Sequence, residues 1–126
     1  MEQVKIEKVK PVFTDERGMI FDLLEEPVKH VGLITCNTGS IRGNHYHKKS
    51  VQYMYMIKGK IEMKTKDTRI NDSKVEMKII EEGDCITIPP LVIHSFRAIE
   101  QSVFLDMTTE SRSGTGYEDD NFRVKI

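Results

Sequence analysis

The chain has 126 residues, 38% of them hydrophobic and 31% charged, with 19 Lys and Arg against 20 Asp and Glu and a formal net charge of −1. That length suits one domain with its own core, and the balanced charge excludes an electrostatic case for nucleic acid or an anionic membrane as partner. No apolar run approaches the ~20 residues of a membrane span, the Met1–Lys5 start lacks the apolar segment of a signal peptide, and the two isolated cysteines, Cys36 and Cys85, read as reduced core thiols; the expectation is a single-domain cytoplasmic protein.

Val4 and Ile6 alternate with charged residues, which predicts a half-buried strand over Val4–Lys8. Val12-Phe13, a turn at Asp15-Glu16-Arg17-Gly18 and a returning run Met19–Leu24 predict a hairpin, and Pro27 breaks the run. Val31–Cys36 reads as a strand buried on both faces. A turn at Asn37–Ser40 and a strand carrying His45 and His47 follow. In Val51–Ile57 one face holds Gln52, Met54 and Met56, and the other holds Val51, Tyr53, Tyr55 and Ile57. Both faces are apolar, so the first is expected to line the interior and the second to meet another sheet or a partner subunit. Ile61–Lys66 and Val75–Ile79 alternate on either side of a polar loop, Asp67–Lys74. Glu81–Asp84 turns the chain into Cys85–Ile88, which Pro89-Pro90 ends. Val92–Phe96 carries His94, and Ser102–Met107 is the last expected strand. A polar loop over Ser111–Gly116 leads into a mobile-looking tail, Tyr117–Ile126. No window shows the i, i+3, i+4, i+7 stripe of a helix. About ten short strands separated by turns predict an all-β sandwich or barrel.

Chemistry concentrates at Arg42-Gly43-Asn44-His45-Tyr46-His47. Side chains at i and i+2 of a strand project from one face, ~6.5–7 Å apart along it, so His45 and His47 converge on one ion or substrate. Gln52 and His94 stand in flanking patterned stretches. Three imidazoles and a carboxamide oxygen suit Zn, Ni, Fe or Mn without separating them. The same groups serve equally in a metal-free pocket with His45 or His47 as general base, or as satisfied core histidines. Arg42, Lys48 and Lys49 are candidates to attract a diphosphate, against the reading of a solvated rim. Arg17 is a substrate contact or a hairpin residue in a salt bridge. Tyr117 is a proton donor if the tail closes over the mouth.

The pattern resembles the cupins. In the first cupin motif His45, His47 and Gly59 stand in place, with Gln52 in the glutamate position; in the second, Gly83, Pro89 and His94 stand in place, with Leu91 where a glycine is usual. The resemblance implies a jelly-roll β-barrel. Asp15-Glu16-Arg17-Gly18 and Arg42-Gly43-x-His45 resemble the dTDP-4-dehydrorhamnose 3,5-epimerases, which implies His45 as general base and Arg17 and Arg42 at the substrate. Arg42-Gly43-x-His45-x-His47-Lys48-Lys49, Gln52 and the tail from Tyr117 through Arg123 resemble the dTDP-4-keto-6-deoxyglucose 3,4-ketoisomerases. The Val31–Cys36 strand lacks the tyrosine those ketoisomerases carry, and Ile93 stands where a tryptophan usually precedes the histidine. The run Arg42–His47 is also similar to capsule-synthesis enzymes with a zinc-binding cupin domain.

The resemblance thus implies a cupin acting on a nucleotide-linked keto-sugar. It would epimerise or isomerise it through an enediolate, with His45 as first base and His47 as second. The rivals are a metal-dependent oxygenase on the same ligands and a non-catalytic small-molecule-binding cupin. Dimerisation is expected through the Tyr53/Tyr55 face or by pairing the Val4–Lys8 strand.

Overall fold

The computed structural model describes residues 3–111 and 119–126. Among them run twelve strands: β1 (Lys5–Lys8), β2 (Phe13–Asp15), β3 (Gly18–Ile20), β4 (His30–Cys36), β5 (Ile41–Tyr46), β6 (Gln52–Lys58), β7 (Lys60–Asp67), β8 (Glu76–Glu81), β9 (Asp84–Ile88), β10 (Val92–Ala98), β11 (Ser102–Thr108) and β12 (Phe122–Arg123). They form two five-stranded sheets, ordered β1-β9-β6-β11-β4 and β12-β5-β10-β7-β8, and a separate β2–β3 hairpin. Every pairing is antiparallel. This is the all-β cupin jelly roll expected from the sequence.

Alternation sets the register. In β6, Gln52, Met54 and Met56 are buried while Tyr53 and Tyr55 are half-buried. Met54 lies opposite Ile86 on one neighbour and Asp106 on the other, and Phe96 lies opposite Met63. Slipping any of these strands by one residue would turn its whole apolar row outward. Each fully buried Met, Ile or Phe contributes about 1.5–3 kcal/mol, so Met54, Met56, Ile61, Met63, Ile80, Ile86, Ile88 and Phe104 hold the register firmly.

Three expectations are corrected. Val31–Cys36 is not covered on both faces: β4 is an edge strand, and Val31 and Leu33 are 59% and 64% exposed. Its inward Ile34 packs on the core, while among the described residues the outer Val31 and Leu33 stay exposed. The returning strand is only Gly18–Ile20, paired with Phe13–Asp15, and not Met19–Leu24. The tail is not loose throughout, since Phe122 and Arg123 pair with Tyr46 and His45. Tyr117 lies outside the described residues.

The departure at Leu91 leaves the backbone in the glycine-like conformation. Leu91 keeps φ at 70°. Its N–H donates to the His47 carbonyl at 2.7 Å, and the Thr68 N–H and hydroxyl both donate to its own carbonyl, at 3.0 and 2.6 Å. Three hydrogen bonds of about 1 kcal/mol each offset the ~1–2 kcal/mol that a left-handed leucine costs.

Candidate active site

The first motif depends on a bulge. Gly43 and Asn44 take φ of 92° and 56° in succession. On β10 the partners step from His94 opposite His45 to Ser95 opposite Gly43, so Asn44 is the extra residue. The strands approach so closely there that a Cβ on Gly43 would stand 2.7 Å from the His94 carbonyl oxygen. Only glycine allows that approach, and the approach sets His45 beside His94. The ring centroids of His45 and His94 are 4.6 Å apart, those of His45 and His47 4.8 Å, and those of His47 and His94 5.6 Å. One ligand atom from each ring lies within 4.8 Å of the other two.

Hydrogen bonds fix which atoms face the centre. His94 is fully buried, and its Nδ1 donates to the Val92 carbonyl at 3.1 Å. That leaves the lone pair on Nε2, which has no hydrogen-bond partner among the described residues. Burial, and then the neighbouring His45 and His47, hold the His94 pKa well below the ordinary histidine range, so the ring is neutral. His47, also buried, donates Nδ1–H to the Asp120 carbonyl at 2.7 Å and turns Nε2 the other way. Gln52 donates through Nε2 to the Asp106 carboxylate at 2.7 Å. This orients the amide and leaves Oε1 buried and without a hydrogen-bond partner among the described residues. An unsatisfied buried acceptor costs about 1–3 kcal/mol. Here Nε2 of His94 and Oε1 of Gln52 are two such acceptors on neutral side chains. Neutral imidazoles held through their far nitrogen are the usual form of histidine as a metal ligand, so the donor set fits a divalent cation.

A cavity of about 400 Å³ opens on this cluster. His45, His47, Gln52 and Asp106 line its polar side, Phe96 and Phe104 its apolar side, and Arg42 also borders it. The Arg42 guanidinium donates to the Thr35 carbonyl at 3.0 Å, bridging β5 to the edge strand β4.

The structure thus brings His45, His47, Gln52, His94 and Arg42 together. It does not bring Arg17 or Lys48 to this cavity. Arg17 sits at the tip of the β2–β3 hairpin with its guanidinium on Asp15 at 2.6 and 2.9 Å. The Lys48 amine lies 4.4 Å from the centre of the Phe122 ring. Two acidic residues are missed by sequence reasoning. Asp106 shares the inward parity of Phe104 in β11, and that alternation was a legible signal. Asp120 had none, because its partners are 70 or more positions away in the chain.

The family model described as the polysaccharide biosynthesis C-terminal domain matches residues 13–113. No curated protein matches the chain. Among solved structures, the chain is similar to a mutant of the 3,4-ketoisomerase QdtA from Thermoanaerobacterium thermosaccharolyticum in complex with TDP-4-keto-6-deoxyglucose. The identity is 26%, over 98% of this chain and 88% of that one, with a TM-score of 0.73. A 3,4-ketoisomerase from Helicobacter canadensis is 19% identical over 98% of this chain and 92% of that one, with a TM-score of 0.79. The dTDP-4-dehydrorhamnose 3,5-epimerase from Sulfolobus tokodaii is 20% identical over 94% of this chain and 74% of that one, with a TM-score of 0.73. At these lower identities the last two likenesses speak for the shared fold.

Proposed function

The chain belongs to the polysaccharide biosynthesis C-terminal domain family, and from that premise we propose that it epimerises or isomerises a nucleotide-linked keto-sugar in deoxysugar or surface-polysaccharide biosynthesis. The observation that carries this is the 400 Å³ cavity lined by His45, His47, Gln52 and Arg42, with the His94 imidazole grouped with those of His45 and His47. The likeness to a ketoisomerase holding TDP-4-keto-6-deoxyglucose supports the substrate class.

The reaction is proton abstraction next to a carbonyl. Arg42 meets the diphosphate as a planar donor. His45 takes the proton. His47, His94 and Gln52 would hold a divalent ion, with the His45 imidazole in the same group of rings. When bound, the ion supplies Lewis-acid stabilisation of the enediolate oxygen. Because all three ligands are neutral, they leave the ion's charge to the anion. Zn, Ni, Fe and Mn all suit such a set. The free thiols Cys36 and Cys85 fit a cytoplasmic enzyme. Among the described residues no helix is long and apolar enough to cross a membrane.

Incubation with dTDP-4-keto-6-deoxyglucose in D2O is the test. Deuterium enters the carbon beside the carbonyl, and an isomeric product accumulates. Neither exchange nor product with dTDP-, UDP- or GDP-linked keto-sugars overturns the proposal. Oxygen consumption with ferrous iron would assign the oxygenase instead.

The same reading makes the protein a homodimer. The outer face of β4, β11 and β6 is an apolar surface that includes Val31, Leu33 and Tyr55, and β1 is an edge strand that still offers hydrogen bonds. The β2–β3 hairpin adds Val12 and Met19, 60% and 59% exposed. A lone two-stranded hairpin is marginal in water, and contiguous exposed apolar side chains favour an interface. Sedimentation at micromolar concentration gives twice the chain mass of 14.6 kDa, and Leu33→Asp shifts the protein to the monomer. A wild-type protein that sediments only as a monomer refutes the dimer.

A further inference from the structure

Behind the second histidine lies a cluster that proton abstraction itself does not use. Asp120 belongs to the charged tail, yet it is only 6% exposed. Its carboxylate accepts the backbone N–H of Lys48 at 2.8 Å, of Lys49 at 3.0 and 3.2 Å, and of Ser50 at 2.9 Å. Three successive amides aimed at one carboxylate make a concave anion site, filled here by the chain's own residue. The carbonyl of the same Asp120 accepts Nδ1–H of His47 at 2.7 Å. On the far side, β12 pairs with Tyr46 and His45, and the Val124 N–H donates to the Asn44 carbonyl at 2.8 Å.

The connection closes a ring. The residues just after the histidine strand grip the tail through the Asp120 carboxylate. The tail grips the histidine through the Asp120 carbonyl. A buried carboxylate costs several kcal/mol unless it is fully hydrogen-bonded. The amides offset that cost only while Asp120 sits in one place, and that place fixes its carbonyl. A neutral imidazole carries one proton, so a proton held on Nδ1 leaves Nε2 as the acceptor facing the cluster.

We propose that Asp120 is a positioning residue. Seated in the amides of residues 48–50, it locks His47 in the Nδ1–H form and aims Nε2 at the substrate and ion. The inference rests on the reading of His47 as a working member of the site, and it gives the C-terminal segment a part in building that site. Without Asp120, His47 is free to carry its proton on Nε2, where it blocks the one lone pair the cluster needs.

The test compares Asp120→Ala and Asp120→Asn with Phe122→Ala. The last removes the ring stacked 5.3 Å from that of Tyr46 but leaves the amide site intact. Long-range proton–nitrogen NMR on metal-stripped protein, about two pH units above the ordinary histidine range, reads the tautomer directly. His47 is expected purely as Nδ1–H in wild type and Phe122→Ala, and as a mixture in Asp120→Ala. Zn2+ affinity, measured by competition with a chromophoric chelator, is expected to fall about 10–100-fold in Asp120→Ala. Phe122→Ala stays within about threefold of wild type, and Asp120→Asn falls between. An unchanged tautomer in Asp120→Ala overturns the proposal, as does an equal loss of affinity in Phe122→Ala. If Asp120→Ala does not fold, Asp120→Asn decides in its place, because it keeps one acceptor for Lys48 and Lys49 and loses the one for Ser50. If wild type takes up no Zn2+, the metal reading fails alone and the tautomer comparison still decides on Asp120.

Discussion

On the proposed reaction, His45→Asn turns over a nucleotide-linked keto-sugar about 10²–10⁴-fold more slowly than wild type, the usual contribution of a positioned general base. The structure gives three reasons to place the base there. His45 is the half-buried member of the imidazole cluster, whereas His47 and His94 are buried. His47 and His94 are each tied to a backbone carbonyl through Nδ1, which suits rings that hold rather than move. His45 also lines the cavity directly, beside Arg42 and Gly43. Asparagine keeps a polar side chain of smaller volume on the bulged strand, so the fold survives. The loss falls on kcat with KM little changed, because a base acts in the transition state and adds little to ground-state binding. Deuterium exchange in D2O slows in parallel. If His45→Asn stays within tenfold of wild type while His47→Asn stops exchange, the base is His47.

Gln52→Glu destabilises the ion-free protein by about 3 kcal/mol, in the range for uncompensated buried charge. The sequence alone speaks only to ion binding. Glutamate is the usual residue at this position of the motif, and a charged oxygen should bind an ion more tightly. The fold adds Asp106. The Gln52 amide donates to that carboxylate at 2.7 Å, and the two residues are 7% and 1% exposed. Glutamate in that place sets two carboxylates face to face, and one must take up a proton or both must move apart. A divalent ion offsets the repulsion. Zn2+ therefore raises the melting temperature of the variant more than that of wild type. Its affinity for the variant rises about tenfold or more, a difference of ~1.4 kcal/mol. Activity does not follow, since added negative charge beside the ion opposes the enediolate. Calorimetry with and without Zn2+ checks both halves. A variant as stable as wild type without ion would mean that Asp106 does not hold the amide. Equal Zn2+ shifts in both proteins would mean that no ion sits at Gln52, leaving the metal-free pocket.

The sequence determined which way most side chains point. A strand repeats every two residues whatever its neighbours are, so Gln52, Met54 and Met56 share a face, and His47, expected on the same strand as His45 but one residue past the end of β5, still meets its ring. The spacing of His94 from Gly83 and Pro89 placed it correctly because a turn and two short strands leave the backbone little freedom. The alternation in Ser102–Met107 carried the same information about Asp106, which goes unread when an acid stands in an apolar row. What covers each face was decided by the tertiary structure alone. Val31–Cys36 is as apolar as a central strand, yet it lies at an edge, because sheet order depends on which distant strand pairs beside it. Arg17 and Lys48 have the charge of diphosphate ligands, but the choice between substrate and neighbour lies in coordinates. One is taken by Asp15 two residues away, and the other lies over a ring of the tail. The orientation of the Gln52 amide and the tautomer of His47 depend on partners 54 and 73 positions away. A hydrogen bond is directional and short-ranged, so it leaves no periodic trace in the sequence and exists only once the chain has closed on itself.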